Sequence, residues 1–208
     1  MSASEKYTVT VFCGSAPGFD AVYVEQAAAI GTAIGERGIH LVYGGGHVGL
    51  MGTTANAALT AGGTVTGVIP HALQQREAMH HHLTELIVVD TMHERKTIMS
   101  ERADAFIALP GGPGTLEELT EQWTWAQLGI HEKPCGILNI DGYYDPFIAF
   151  VSNMRDRGFT HRRYTDMLVV SDDIDELIER LQAYVPPARV HQSPGAEMSG
   201  TELPVILP

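Results

Sequence analysis

Short apolar runs alternate along most of the chain with segments in which apolar residues recur every three or four positions. The runs at 7–12, 39–43, 64–69, 85–89, 105–109, 134–139 and, more weakly, 167–170 predict strands. Between them, Phe19, Tyr23, Ala27, Ile30 and Ile34 form one helical stripe that ends near Gly38, and a small-residue helix is predicted over 50–61. A helix over 92–102 follows, and a longer one opens after Pro110, with Leu116, Leu119, Trp123, Ala126 and Ile130 on its core-facing stripe. A last helix is predicted over 172–184. Helices are expected between all successive strands. Such alternation, with short connections, implies an α/β fold, a doubly wound parallel sheet covered on both faces, in one domain over 1–185. Residues 186–208 hold five of the eleven prolines and predict a loose, flexible tail.

The strand ends carry the chemistry. After the apolar run at 105–109 comes Pro110-Gly111-Gly112-Pro113-Gly114-Thr115-Leu116-Glu117-Glu118. Its three glycines let backbone N–H groups approach an anion, and the helix beginning there points its positive end at the same spot. Thr115 adds a hydroxyl donor, and Glu118 falls in the first turn, within reach of whatever the phosphate is attached to. The alternative is a glycine turn with acidic residues that merely complete a helix start. A second loop, from Gly44 to Gly52, fits G-x-G-x-x-G at Gly44, Gly46 and Gly49. However, the acidic residue that would hold a dinucleotide ribose about 20 positions on is missing, because no Asp or Glu occurs from Gly38 to Arg76. A mononucleotide or sugar phosphate is therefore expected rather than NAD. A third turn, Cys13-Gly14-Ser15-Ala16-Pro17-Gly18, ends the first strand and should sit beside the other two.

Composition narrows the classes. With 208 residues and 44% hydrophobic content, the chain can bury a core without metals or disulfides. Cys13 and Cys135 form no spaced pair and read as buried thiols of a reducing cytoplasm. No apolar run reaches membrane-spanning length, and the first six residues hold no apolar signal region, so a cytoplasmic protein without membrane contact is expected. A net charge of −12 argues against nucleic-acid polymers as partners, though a small phosphate remains compatible. His80-His81-His82 point in different directions on any regular element and read as a solvated loop rather than a metal site; His47 and His93 are secondary candidates for phosphate or ribose.

On the 92–102 helix, Met92, Arg95, Met99 and Arg102 share a face, so an arginine interrupts an otherwise inward stripe. Either Arg95 sits at the edge, solvated or paired with Glu94 or Glu101, or it is aimed at substrate or at a carboxylate. Met92-His93-Glu94-Arg95-Lys96 combined with the PGGxGTxxE stretch ending at Glu118 resembles the LOG family, the cytokinin-activating phosphoribohydrolases. The resemblance extends through Gly44 to Gly52, Thr124 to His131 and Asp141-Gly142-Tyr143-Tyr144, roughly residues 7–160.

That resemblance implies a Rossmann-like homodimer that hydrolyses the N-glycosidic bond of N6-modified AMP, releasing free base and ribose 5-phosphate without a cofactor or metal. It implies catalytic roles for Arg95 and Glu118, and substrate contacts for Glu77, Lys96, Gly112, Pro113, Gly114, Thr115, Leu116, Glu117 and Thr124. Ser15, Gly45, Gly46 and Met92, on the neighbouring loops and in the arginine motif, join the expected binding set. Pro113 stands where many relatives have tyrosine, and the Gln74 to Met79 run departs from the usual small and acidic residues, which bears on base choice. The Trp123-Thr124-Trp125 segment puts tryptophans on two faces and suits core and subunit interface together. The label lysine decarboxylase, often attached to this motif, fits poorly, because a pyridoxal phosphate enzyme needs a Schiff-base lysine and only Lys6, Lys96 and Lys133 exist. A general purine monophosphate nucleosidase and a non-catalytic nucleotide or cofactor carrier are the alternative readings.

Overall fold

The computed structural model describes residues 6–74 and 78–187. The expected tail therefore lies outside the described residues beyond Pro187, as does Glu77. Seven strands form one all-parallel sheet: β1 (Thr8–Phe12), β2 (His40–Tyr43), β3 (Thr64–Pro70), β4 (Glu85–Val89), β5 (Ala105–Ala108), β6 (Cys135–Leu138) and β7 (Leu168–Ser171). Their order is β4-β3-β2-β1-β5-β6-β7, and Thr10 of β1 sits in register with both Val42 and Phe106. The chain thus winds outward from β1 to one edge, returns beside β1 and winds to the other. Parallel sheets open a crevice at the carboxyl ends of the strands where that direction reverses, which here is between β1 and β5. The three loops singled out in the sequence follow β1, β2 and β5, so the topology brings them side by side.

Helices α1 (Ala21–Glu36), α2 (Gly49–Thr60) and α7 (Ile174–Gln182) cover one face; α3 (Met92–Arg102), α4 (Pro113–Gln127) and α5 (Asp145–Asp156) cover the other, with a short α6 (Arg162–Thr165) behind α5. Ile30 and Ile34 of α1 are fully buried, each contributing about 2 kcal/mol by leaving water. Gly31 lets α1 lie against α2, since a Cβ there would run into the Thr54 carbonyl. Both cysteines are free and buried, and burial pushes the Cys135 thiol up to about 12.

Three expectations fail locally. Phe19 is fully exposed, because α1 begins at Ala21 and the residue precedes the helix whose spacing it seemed to match. On α4, Leu119, Trp123 and Ala126 are buried, but Leu116 is partly exposed and Ile130 largely so. Leu116 lies in the first turn, beyond the strand ends, and Ile130 follows the left-handed Gly129 that ends the helix. Finally, no α-helix joins β3 to β4 among the described residues. A single 3₁₀ turn, His71–Leu73, leads into a segment that folds back over the loop after β2.

Candidate active site

Each strand-end loop is fixed by backbone chemistry. In the loop after β5, the carbonyls of four successive residues are all occupied. Leu109 accepts from the Tyr144 hydroxyl at 2.8 Å, Pro110 from the Gly14 N–H at 3.0 Å, Gly111 from the Tyr143 hydroxyl at 2.6 Å and Gly112 from the Leu116 N–H at 3.3 Å. With these acceptors satisfied, the loop brings the start of α4, Gly112 to Thr115, to the crevice, a surface suited to an anion. Gly112 caps α4 in an extended conformation and Pro113 takes the first helical position, where its missing N–H costs nothing. Burial and the Tyr143 hydroxyl both keep Tyr144 protonated far above neutrality, so its donor role is permanent.

The loop after β2 does something different from the phosphate cradle expected of it. Gly44 reaches the crevice, but Gly45 turns through a left-handed conformation against Val68 and Ile69, and Gly46 pairs with Met79. The second and third N–H groups of α2, on Leu50 and Met51, are taken by the Gly14 carbonyl at 3.1 and 3.3 Å. This loop instead seats an arginine. Arg95 is 5% exposed and donates from Nη2 to the Gly44 carbonyl at 3.2 Å. A Cβ on Gly44 would occupy the position of that same Nη2.

The edge reading of Arg95 thus fails. Glu94 is engaged elsewhere, in a capping box: Thr91 Oγ1 accepts from the Glu94 N–H at 3.1 Å, while the Glu94 carboxylate accepts from the N–H groups of Asp90 and Thr91. Arg102, two helical turns further along, takes the surface role, pairing with Glu85.

Between these loops lies a cavity of about 370 Å³. Its walls carry Ser15 after β1, Met92 and Arg95 from α3, and Gly112, Pro113, Gly114, Thr115, Glu117 and Glu118 from the cradle and α4. Thr115 is buried with its hydroxyl against Gly111. Glu118 and Arg95, from different helices, therefore line one cleft. A second cavity of about 260 Å³ adjoins it, sharing Gly14, Ser15 and Gly112 and walled by Tyr23, Leu50 and Tyr143.

Five expected residues do not line the cavity. Gly45 and Gly46 turn toward β3 and the 78–80 segment, as described above. Leu116 and Thr124 are exposed on α4. Lys96 stands behind the wall, its ammonium 2.6 Å from Glu117 and 3.0 Å from Glu121. Burial opposes its charge, but the two carboxylates outweigh that, and its pKa is raised. Glu117, Glu121 and Thr124 share a side of α4 at spacings of four and three, so Lys96 organises the side on which Thr124 lies. Glu77 lies outside the described residues.

Cys13, Met51 and Leu73 line the cavity without having been singled out for it. Cys13 and Met51 belong to motifs quoted above, whereas Leu73 sits in a stretch without periodicity and left no signal. Glu121 was legible only as the residue four after Glu117. The three histidines divide: His81 and His82 are exposed, but His80 is 1% exposed and packed edge-on against His47, whose ring is thereby held outside the cavity. His93 is exposed in the first turn of α3. No metal-binding cluster occurs among the described residues.

Residues 51–181 match the family model described as "Possible lysine decarboxylase". The cytokinin riboside 5′-monophosphate phosphoribohydrolase LOG of Oryza sativa subsp. japonica is 48% identical over 182 residues, covering 88% of this chain and 75% of that protein. The cytokinin riboside 5′-monophosphate phosphoribohydrolase of Rhodococcoides fascians is 49% identical over 177 residues, covering 85% and 89%. The chain belongs to the LOG family. Solved structures share its fold: the molybdenum cofactor carrier protein of Chlamydomonas reinhardtii has a TM-score of 0.65 at 20% identity, over 86% of this chain and 99% of its own. The molybdenum cofactor binding protein of Rippkaea orientalis has 0.66 at 22%, over 87% and 98%. At such identities the likeness speaks for the Rossmann-like architecture of the LOG-family chain and for nothing finer.

The decarboxylase description implies pyridoxal phosphate, and the lysines present do not fit it. Lys6 precedes β1. The Lys133 ammonium donates to the Ser100 carbonyl at 2.7 Å, near the end of α3 remote from the cavity. Lys96 is clamped by two carboxylates that keep it charged, whereas Schiff-base formation needs a neutral amine.

Proposed function

We propose that this LOG-family chain is a phosphoribohydrolase that cleaves the N-glycosidic bond of cytokinin riboside 5′-monophosphates, N6-modified AMP, to free base and ribose 5-phosphate. The observation that carries the reading is the cavity in which the Gly112 to Thr115 loop, Arg95 and Glu118 meet. Relatives at nearly half identity that are named for this reaction support it.

The chemistry follows from charge. As the C1′–N9 bond breaks, its electron pair leaves with the base and positive character builds on the sugar. A carboxylate beside the sugar stabilises that change and accepts a proton from the water whose oxygen bonds to C1′. Glu118 fills this role. Glu118 returns the proton it took from water to the departing base, so water supplies both the hydroxyl on C1′ and the hydrogen on the base, and nothing else is consumed. Arg95, anchored by the Gly44 carbonyl, holds the ribose hydroxyls or the phosphate against Glu118, while Gly112 to Thr115 bind the 5′-phosphate. Lys96 keeps Glu117 aligned at the rim.

The protein works as a cytoplasmic homodimer in this reading. Among the described residues no helix is long and apolar enough to cross a membrane. Leu116, Leu128 and Ile130 leave an apolar edge on α4 and the turn after it, which a second subunit would cover. The test is incubation with AMP and with isopentenyl-AMP, followed by chromatography of released base and ribose 5-phosphate. Release from the modified nucleotide at a higher kcat/KM supports the reading. Preferential cleavage of AMP would make the enzyme a general nucleosidase, and binding of both without release would make it a carrier.

A further inference from the structure

Residues 78–80, in the connection between β3 and β4, pair along the loop that begins at Gly44. His47 N–H donates to the Ala78 carbonyl at 2.8 Å, and His80 N–H donates to the Gly45 carbonyl at 3.0 Å. Gly46 and Met79 form an antiparallel bridge between these two bonds. Ala78 takes a left-handed conformation with φ of 46°, uncommon for alanine, so the path of the segment is held by its surroundings.

The side chain at the centre of the contact is His80. Its Nδ1 lies 3.2 Å from the His82 backbone N–H, which can only donate, and its Nε2 lies 3.0 Å from Asn56 Oδ1 on α2. A ring nitrogen that accepts carries no proton, so Nδ1 is bare and Nε2 carries the hydrogen. One neutral tautomer satisfies both partners. The imidazolium satisfies only Asn56: a proton on Nδ1 would face the His82 N–H and lose that bond.

We propose that His80 is a positioning residue for the Arg95 wall of the site: neutral, it locks the 78–82 segment onto the Gly44 loop that holds the guanidinium; protonated, it releases both.

The surroundings agree. Burial first, then His47 from the facing loop and the adjacent His82 and His81, all hold the His80 pKa below its ordinary 6.5. Asn56, the α2 group facing it, is uncharged. The lock is therefore closed at neutral pH and opens as pH falls below that range. Its consequence for turnover rests on the phosphoribohydrolase reading; the lock itself does not.

The experiment accordingly has two readouts on the full chain. The first is structural and needs no substrate. Imidazole nitrogen NMR should find His80 in the Nε2–H tautomer at pH 7.5, and amide exchange at His47 and His80 should accelerate at least tenfold beyond the intrinsic pH effect by pH 5.5, with β2 amides as the reference. His80→Gln, whose amide can donate to Asn56 and accept from His82, should abolish that pH dependence. An Nδ1–H tautomer, or protection at His47 that ignores pH in the wild type, overturns the proposal whatever the protein hydrolyses. The second readout is kcat with isopentenyl-AMP. His80→Ala should lower kcat about tenfold at pH 7.5 with a smaller change in KM, and His80→Gln should rescue most of the loss and flatten the acid limb. A glutamine variant that keeps the wild-type acid limb refutes the link from His80 to Arg95. If no nucleotide is cleaved at all while the exchange results hold, the lock stands and the assigned reaction falls.

Discussion

A carboxylate acts on a glycosidic bond only while it is charged and aimed, and Glu118 gains its aim from the second turn of α4, one turn later than the sequence suggested, in a helix whose start is fixed by the Gly112 cap and Pro113. Glu118→Gln keeps size and hydrogen-bonding reach, so nucleotide affinity should change little in titration calorimetry while kcat falls on the order of 10²- to 10⁴-fold. An unaltered rate would reduce the residue to a helix-start acid. Gly44 makes a stricter test of the arginine. The side chain added in Gly44→Ala coincides with the Arg95 guanidinium, whose far end is able to move, so the fold should survive and the arginine should be displaced. Melting temperature should drop by no more than a few degrees, whereas kcat/KM should fall at least tenfold. At this scale the sequence was informative where chemistry departed from pattern. Arg95 interrupts an apolar stripe, and that anomaly marks its burial. Gly45 and Gly46 belonged to the same glycine run as Gly44 yet approach β3 and Met79 respectively, because backbone direction within a tight turn has no period to read.

At the level of elements, the positions of α3 and α4 rest on local signals. Thr91 and Glu94 cap α3 reciprocally, Gly112 and Pro113 open α4, and spacing marked Arg95 and Met99 on α3 and Leu119, Trp123 and Ala126 on α4 as buried, but not the polar Ser100 and Gln122 that are buried with them. The connection from β3 to β4 was not. A helix was expected there, but 71–84 holds three successive histidines and no helical stripe, and residues 78–80 within it pair with a loop some thirty residues earlier. Non-local pairing of that kind leaves no periodicity. The same loop is tied to α2 by a close approach at Gly52, where any Cβ would enter the His47 carbonyl. Since that obstacle is backbone, Gly52→Ala should cost roughly 1–3 kcal/mol in denaturant unfolding, as overpacked sites do. A variant as stable as the wild type would mean that α2 and the loop are not held together there.

For the whole molecule, the parallel sheet and the meeting of its strand-end loops followed from alternating periodicity and loop position, whereas the order of the strands and the packing of polar groups behind the sheet did not. His131 belongs to this hidden set. Burial, with a smaller push from Lys133, pulls it down to about 4 from an ordinary 6.5. Between those values the unfolded chain binds a proton that the native ring refuses, so this contribution is complete above about pH 6.5 and is lost as pH falls toward 4. The ring is half-buried, so screening keeps the loss near 1 kcal/mol. His131→Asn, which can still accept from the Lys133 N–H, should flatten that part of the stability–pH curve measured by denaturant unfolding. The proposed dimer makes a different global prediction. Light scattering at micromolar concentration should give twice the chain mass, and Leu128→Asp with Ile130→Asp should lower it toward one chain. Lastly, the donors that occupy the cradle carbonyls come from Gly14, Tyr143, Tyr144 and Leu116, positions spread over most of the folded chain. The anion-binding loop is therefore a late product of assembly. In refolding from denaturant, protection of the chain by inorganic phosphate should appear only after the segment that follows β6 has docked, and a ribosome-bound chain ending before Tyr143 should gain none.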